Sequence, residues 1–95
     1  MNLYFEWDGI KNQKNQKKHG VSFETASLVF EDPLKISLQD RHTNGEERWQ
    51  TIGMVKGVLM LLVAHTLIDE DDCEIIRIIS ARQVTKAERE KYEHG

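Results

Sequence analysis

The stretch "VAHTLIDEDDCEIIRIISAR", Val63 to Arg82, decides how this chain folds. Two apolar runs flank an acidic segment, and short apolar runs bounded by a polar turn read as the strands of a hairpin. Each run carries one residue foreign to an apolar sheet, His65 in the first and Arg77 in the second. A buried charge is costly unless it is paired or used. These two side chains are therefore the first candidates for function.

Working outward, "RWQTIGMV" is strand-like, "KG" at Lys56-Gly57 is a tight turn, and "VLMLLVAHTL", Val58 to Leu67, is a long strand. "LKISLQ" precedes them as a weaker strand, followed by the polar loop "RHTNGEE". At the start, "LYFEW" is an aromatic strand, Leu3 to Trp7. Asp8 can cap a polar helix, "GIKNQKNQKKHG", that Gly20 closes. Ser22 opens a second helix, "SFETASLVFED", with Phe23, Ala26, Val29 and Phe30 as its apolar face, and Asp32-Pro33 ends it. "TKAE", Thr85 to Glu88, is a capping box that starts a final helix, "TKAEREKYEHG". The order β-α-α-β-β-β-β-α predicts an α+β fold: two N-terminal helices packed on a mainly antiparallel sheet, plus a C-terminal helix. Val58 to Leu67 is apolar on both faces, so both sides of the sheet should be covered.

Length and charge narrow the function. The 95 residues make one small domain, 1–95, and the net charge of -3 excludes a bulk polycation. Any nucleic-acid role must use a local basic patch. "MNLYFEWD" carries Glu6 and Asp8 and does not read as a signal peptide, and Val58 to Ala64 is too short to span a bilayer, so no membrane role is expected. The lone Cys73 points to a reducing cytoplasm and reads as inert. No zinc spacing is present, and the acidic loop lacks the ligand pattern of an EF-hand, so no metal or other cofactor is expected. Trp7 and Trp49 read as core anchors, and the lysines of the first helix as a solvated face.

Hairpin geometry links the candidates. A two-residue loop at Lys56-Gly57 pairs Val55 with Val58 and sets Arg48 opposite His65. A five-residue loop, Asp69 to Cys73, pairs Ile68 with Glu74 and sets His65 opposite Arg77. Arg48, His65 and Arg77 would then form one row on one face of three strands.

At larger scale, "FEWDGIKNQKNQKKHGVSFETASLVFEDP", "DRHTNGEERWQTIG" and "IRIISARQVTKAEREKYE" together resemble the BrnT toxin family of bacterial type II toxin–antitoxin systems. The resemblance spans nearly the whole chain in the right order. It implies a RelE/ParE-like fold and a ribonuclease activity that arrests translation. It also implies neutralisation by a BrnA-like antitoxin with a ribbon-helix-helix domain, and operator DNA binding only through the toxin–antitoxin complex. Arg48 falls in the family's "EERW" match, His65 in "HT", Arg77 and Arg82 in "RIISAR", and Arg89 and Tyr92 near the end of the last motif. Two segments depart from the family pattern: "NQKNQKKHG" is rich in Asn and Gln, and "IDEDDCE" is unusually acidic.

RNA cleavage without a metal needs a base for the 2′-hydroxyl, cations for the phosphorane and an acid for the leaving 5′-oxygen. His65 suits proton transfer, Arg48 and Arg77 suit the phosphate, and Tyr92 suits proton donation or base stacking. Arg48, His65, Arg77 and Tyr92 are accordingly the expected catalytic set, with Arg82, Lys86 and Arg89 as RNA-binding residues. The rival readings are a non-catalytic, antitoxin-binding co-repressor and a topoisomerase poison of the ParE type.

Overall fold

The computed structural model describes residues 2–43 and 46–95. In chain order these form β1 (Asn2–Glu6), α1 (Gly9–His19), α2 (Phe23–Ser27), a 3-10 turn (Leu28–Glu31), β2 (Ile36–Thr43), β3 (Glu46–Val55), β4 (Leu59–Glu70), β5 (Cys73–Gln83) and α3 (Lys86–His94). The five strands form one sheet in the order β1-β5-β4-β3-β2. β1 runs parallel to β5, and every other neighbour is antiparallel. The fold is α+β, as the element order predicts.

Local chemistry sets the helix ends. The Asp8 carboxylate accepts from the backbone N–H of Ile10 at 2.8 Å and of Lys11 at 3.2 Å, and Gly20 closes α1 at φ 71°. Ser22 caps α2 through the Thr25 N–H, at 3.1 Å. The second helix is shorter than expected, because α2 tightens into the 3-10 turn at Leu28. Asp32 is then extended, the conformation that a following proline favours. The Thr85–Glu88 capping box forms with both of its hydrogen bonds.

Each face of β4 buries its own cluster. Leu61 and Val63 pack with Phe23, Val29, Ile76 and Ile78 beneath α1 and α2. Met60 and Leu62 pack with Ile52 on the other face, where Tyr92 of α3 and Val84 lie over them. Gly53 is needed where β3 passes the 3-10 turn: a Cβ there would lie 2.8 Å from Val29 Cγ1. The Asn-rich stretch of α1 is also explained. Asn12 accepts from the Phe23 N–H at 2.8 Å and donates to Glu24 at 3.0 Å. Asn15 donates to the carbonyls of Val21 and Ala81 at 2.9 and 2.8 Å. Both are buried polar fasteners with partners, tying α1 to α2 and β5.

Both hairpins differ from their expected register. Val55 pairs with Leu59 rather than Val58, because the loop holds three residues, Lys56 to Val58, with Lys56 and Gly57 at positive φ. The acidic loop is shorter than expected. Glu70 pairs with Cys73 around a two-residue turn, Asp71-Asp72, at φ 48° and 64°. The expected polar loop "RHTNGEE" is mostly strand, since β2 runs to Thr43 and β3 starts at Glu46; Asn44 and Gly45 lie outside the described residues. No described helix is long and apolar enough to cross a membrane.

Candidate functional site

The register slips decide which side chains meet. Arg48 pairs with Thr66, Thr66 with Arg77, and Arg77 with Glu6. Side chains in one register row share a face. Glu6, Arg77, Thr66 and Arg48 thus form a row across four strands, on the face that carries Leu62 and Ile52. All four line a groove of about 850 Å³, and no α3 residue reaches it. Thr66 is buried at its floor, Arg48 is half-buried and Arg77 is exposed. The Arg48 Nε is buried with no hydrogen-bond partner among the described residues. A buried, unsatisfied donor on a cation is costly and fits an anionic acceptor.

Lys11 reaches the same groove from the first turn of α1. The Asp8 carboxyl is held below the usual carboxylate range, first by the N–H groups of Lys11 and Ile10, then by the charges of Lys11 and Arg77. These two cations therefore converge beside the start of α1. Glu47 and Asp69 also line the groove, so its charge is mixed. Among the described residues, no group of three or more His, Cys, Asp or Glu side chains could hold a metal ion.

His65 does not belong to the row, contrary to the expected register. It pairs with Trp49 and Ile78 on the opposite face. There it is 4% exposed, and its ring stands edge-on to Phe30 with centroids 4.9 Å apart. Nε2 lies 2.7 Å from Thr51 Oγ1, and Nδ1 lies 3.1 Å from the Thr66 carbonyl. Burial lowers its pKa, partly offset by the bond to Thr66.

The remaining candidates sit on or beside α3. Tyr92 donates to Asp32 Oδ2 at 2.7 Å, and Asp32 also accepts from the Met54 and Leu34 N–H groups. Arg82 is committed to Glu88 through two hydrogen bonds, of 2.8 and 2.9 Å. The Arg82 guanidinium holds the Glu88 carboxyl at about 2. Lys86 and Arg89 are exposed on α3. Thus Arg48 and Arg77 come together, while His65, Tyr92 and Arg82 are engaged elsewhere. The groove residues that sequence reasoning missed are Glu6, Lys11 and Thr66. Glu6 and Lys11 arrive through the parallel pairing of β1, which no local pattern signals, and Thr66 arrives through the one-residue slip.

A family model for BrnT, the ribonuclease toxin of type II toxin–antitoxin systems, matches residues 7–88. The chain belongs to the BrnT toxin family. Among solved structures it is similar to the Brucella abortus ribonuclease toxin BrnT, whose crystal structure extends to 1.1 Å. The two are 19% identical with a TM-score of 0.67, over 90% of this chain and 100% of that one. At that identity the likeness speaks to the fold. No curated protein matches the sequence. The span matched to BrnT contains Lys11, Arg48, Thr66 and Arg77 of the groove, while Glu6 precedes it and Arg89 and Tyr92 follow it.

Proposed function

We propose that this BrnT-family chain is an endoribonuclease whose active surface is the groove, with Arg48 and Arg77 gripping the scissile phosphate. The observation that carries the reading is the row itself: two guanidinium groups on either side of Thr66, one with a buried Nε that has no partner among the described residues. Guanidinium forks match phosphate oxygens and stabilise charge that builds in the transition state, without a metal. Lys11 adds a third cation. Lys86 and Arg89, exposed on α3 together with Lys91, are placed to hold flanking RNA, since Arg82 is paired. His65 and Tyr92 have no part in this chemistry.

Cleavage of cytoplasmic RNA would arrest translation. The expected partner is a BrnA-like ribbon-helix-helix antitoxin whose acidic residues would compete for the same cations, with operator DNA bound by the complex. The test incubates purified chain with labelled RNA in EDTA, with and without the antitoxin. Arg48→Ala and Arg77→Ala should each slow cleavage by about 30- to 1,000-fold, or about 2–4 kcal/mol, with melting temperature unchanged. Stable variants with undiminished cleavage would move the site elsewhere. Growth arrest with intact RNA and a DNA-damage response would favour the topoisomerase reading.

A further inference from the structure

We infer that Glu6 is the general base of RNA cleavage in this groove, an inference that rests on the reading of the groove given above. With His65 buried on the opposite face, the groove's proton acceptors are Glu6, Glu47 and Asp69. Register separates them. Glu6 ends β1 and faces Arg77 directly, in the row that holds Thr66 and Arg48. Glu47 is one residue and Asp69 three residues out of step with that row, so both lie on the opposite face of their strands. Glu6 is exposed, and among the described residues the one ion pair is Arg82–Glu88, so its carboxylate is not tied up by Arg77. A carboxylate beside a phosphate-binding arginine is placed to reach the 2′-hydroxyl next to that phosphate.

The step balances as follows. Glu6 takes the 2′-hydroxyl proton, and the freed oxygen pair bonds to phosphorus. The P–O5′ bond breaks with its pair on the 5′-oxygen. That oxygen takes a proton from Lys11, because arginine does not give one up in proteins. The products are a 2′,3′-cyclic phosphate and a 5′-hydroxyl. Proton exchange with water then restores both side chains. Arg77 of β5 and Arg48 of β3 share the row with Glu6, Lys11 of α1 lines the same groove, and Glu47 of β3 and Asp69 of β4 border it from the opposite face of their strands.

The experiment compares wild type, Glu6→Gln, Glu6→Asp and Arg77→Ala. It measures single-turnover cleavage of labelled RNA across pH, binding of an uncleavable 2′-O-methyl oligonucleotide, and melting temperature. Glu6→Gln should lose about 10²–10⁴-fold in rate and the acidic limb of the pH profile, while binding stays within about twofold. Glu6→Asp, which keeps the carboxylate, should recover part of the rate and restore that limb even if Glu6→Gln proves unstable. Wild-type rates in Glu6→Gln beside an inactive Arg77→Ala would overturn the role of Glu6 and leave the groove reading standing. Equal loss of binding and cleavage in Glu6→Gln would make it an RNA-positioning residue and overturn the role as base. A wild-type chain that binds and cleaves no RNA would overturn the groove reading itself.

Discussion

His65 is held in one tautomer by its two neighbours. The Thr66 carbonyl can only accept, so Nδ1 carries the proton and Nε2 accepts from the Thr51 hydroxyl. Thr51 in turn accepts from Ser37 Oγ, at 2.8 Å. Protonating Nε2 would put a positive charge into a buried site. The lowered pKa of the folded ring therefore acts on stability. Above the unfolded value of about 6.5 both states are neutral and the group costs nothing. As pH falls below it, the unfolded ring takes up a proton that the folded ring resists, and stability is lost. His65→Gln should flatten that part of the stability–pH curve relative to wild type, as chemical denaturation at several pH values would register. His65→Ala should cost about 2–4 kcal/mol by cavity and unpaired hydroxyl, with RNA cleavage tracking the folded fraction. A stable His65→Ala chain without activity would return His65 to the chemistry.

The elements most open to testing are α3 and the two hairpins. No residue of α3 is buried, so its hold on the sheet rests on Tyr92, the Arg82–Glu88 pair and the capping box. Tyr92→Phe leaves the ring over Ile52 and Met60 but removes the bond to Asp32. It should cost about 1–2 kcal/mol and speed hydrogen exchange in α3, with groove cleavage unchanged. Loss of cleavage at full stability would bring Tyr92 back as a proton donor. The hairpins also explain what could be read from the chain. The strands, both N-terminal helices and the C-terminal capping box were legible, because period, caps and turn residues are local signals. The register was not. A Lys-Gly pair suits a two-residue loop as well as the three-residue loop that forms, and Asp71-Asp72 is concealed within an acidic run. Each hairpin slipped by one residue in the same sense. Arg48 and Arg77 therefore stayed aligned while the residue between them changed from His65 to Thr66. One face of the expected site survived, and its titratable centre did not.

At the scale of the whole molecule, the sheet is covered unequally. α1, α2 and the 3-10 turn lie on one face, while on the other α3 reaches the Ile52–Met60–Leu62 end and leaves the arginine row open. The chain carries a net charge of -3, yet three cations gather in that groove. Bulk charge opposes nucleic acid, and Glu6, Glu47 and Asp69 offset the groove's cations, so on the proposed reading the salt response should report individual phosphate contacts. If Lys11, Arg48 and Arg77 each neutralise a phosphate, log K for a single-stranded RNA should fall against log salt with a slope of about -2. Arg77→Ala should reduce that slope by about 0.7, whereas Tyr92→Phe should leave it unchanged. Duplex operator DNA needs more phosphate contacts than the groove offers, so the isolated chain should bind it negligibly at physiological salt, and the antitoxin complex tightly. Titration of both nucleic acids at several salt concentrations checks this. Specific operator binding by the chain alone, or an RNA slope that Arg77→Ala does not move, would mean that phosphate is held by cations outside the row.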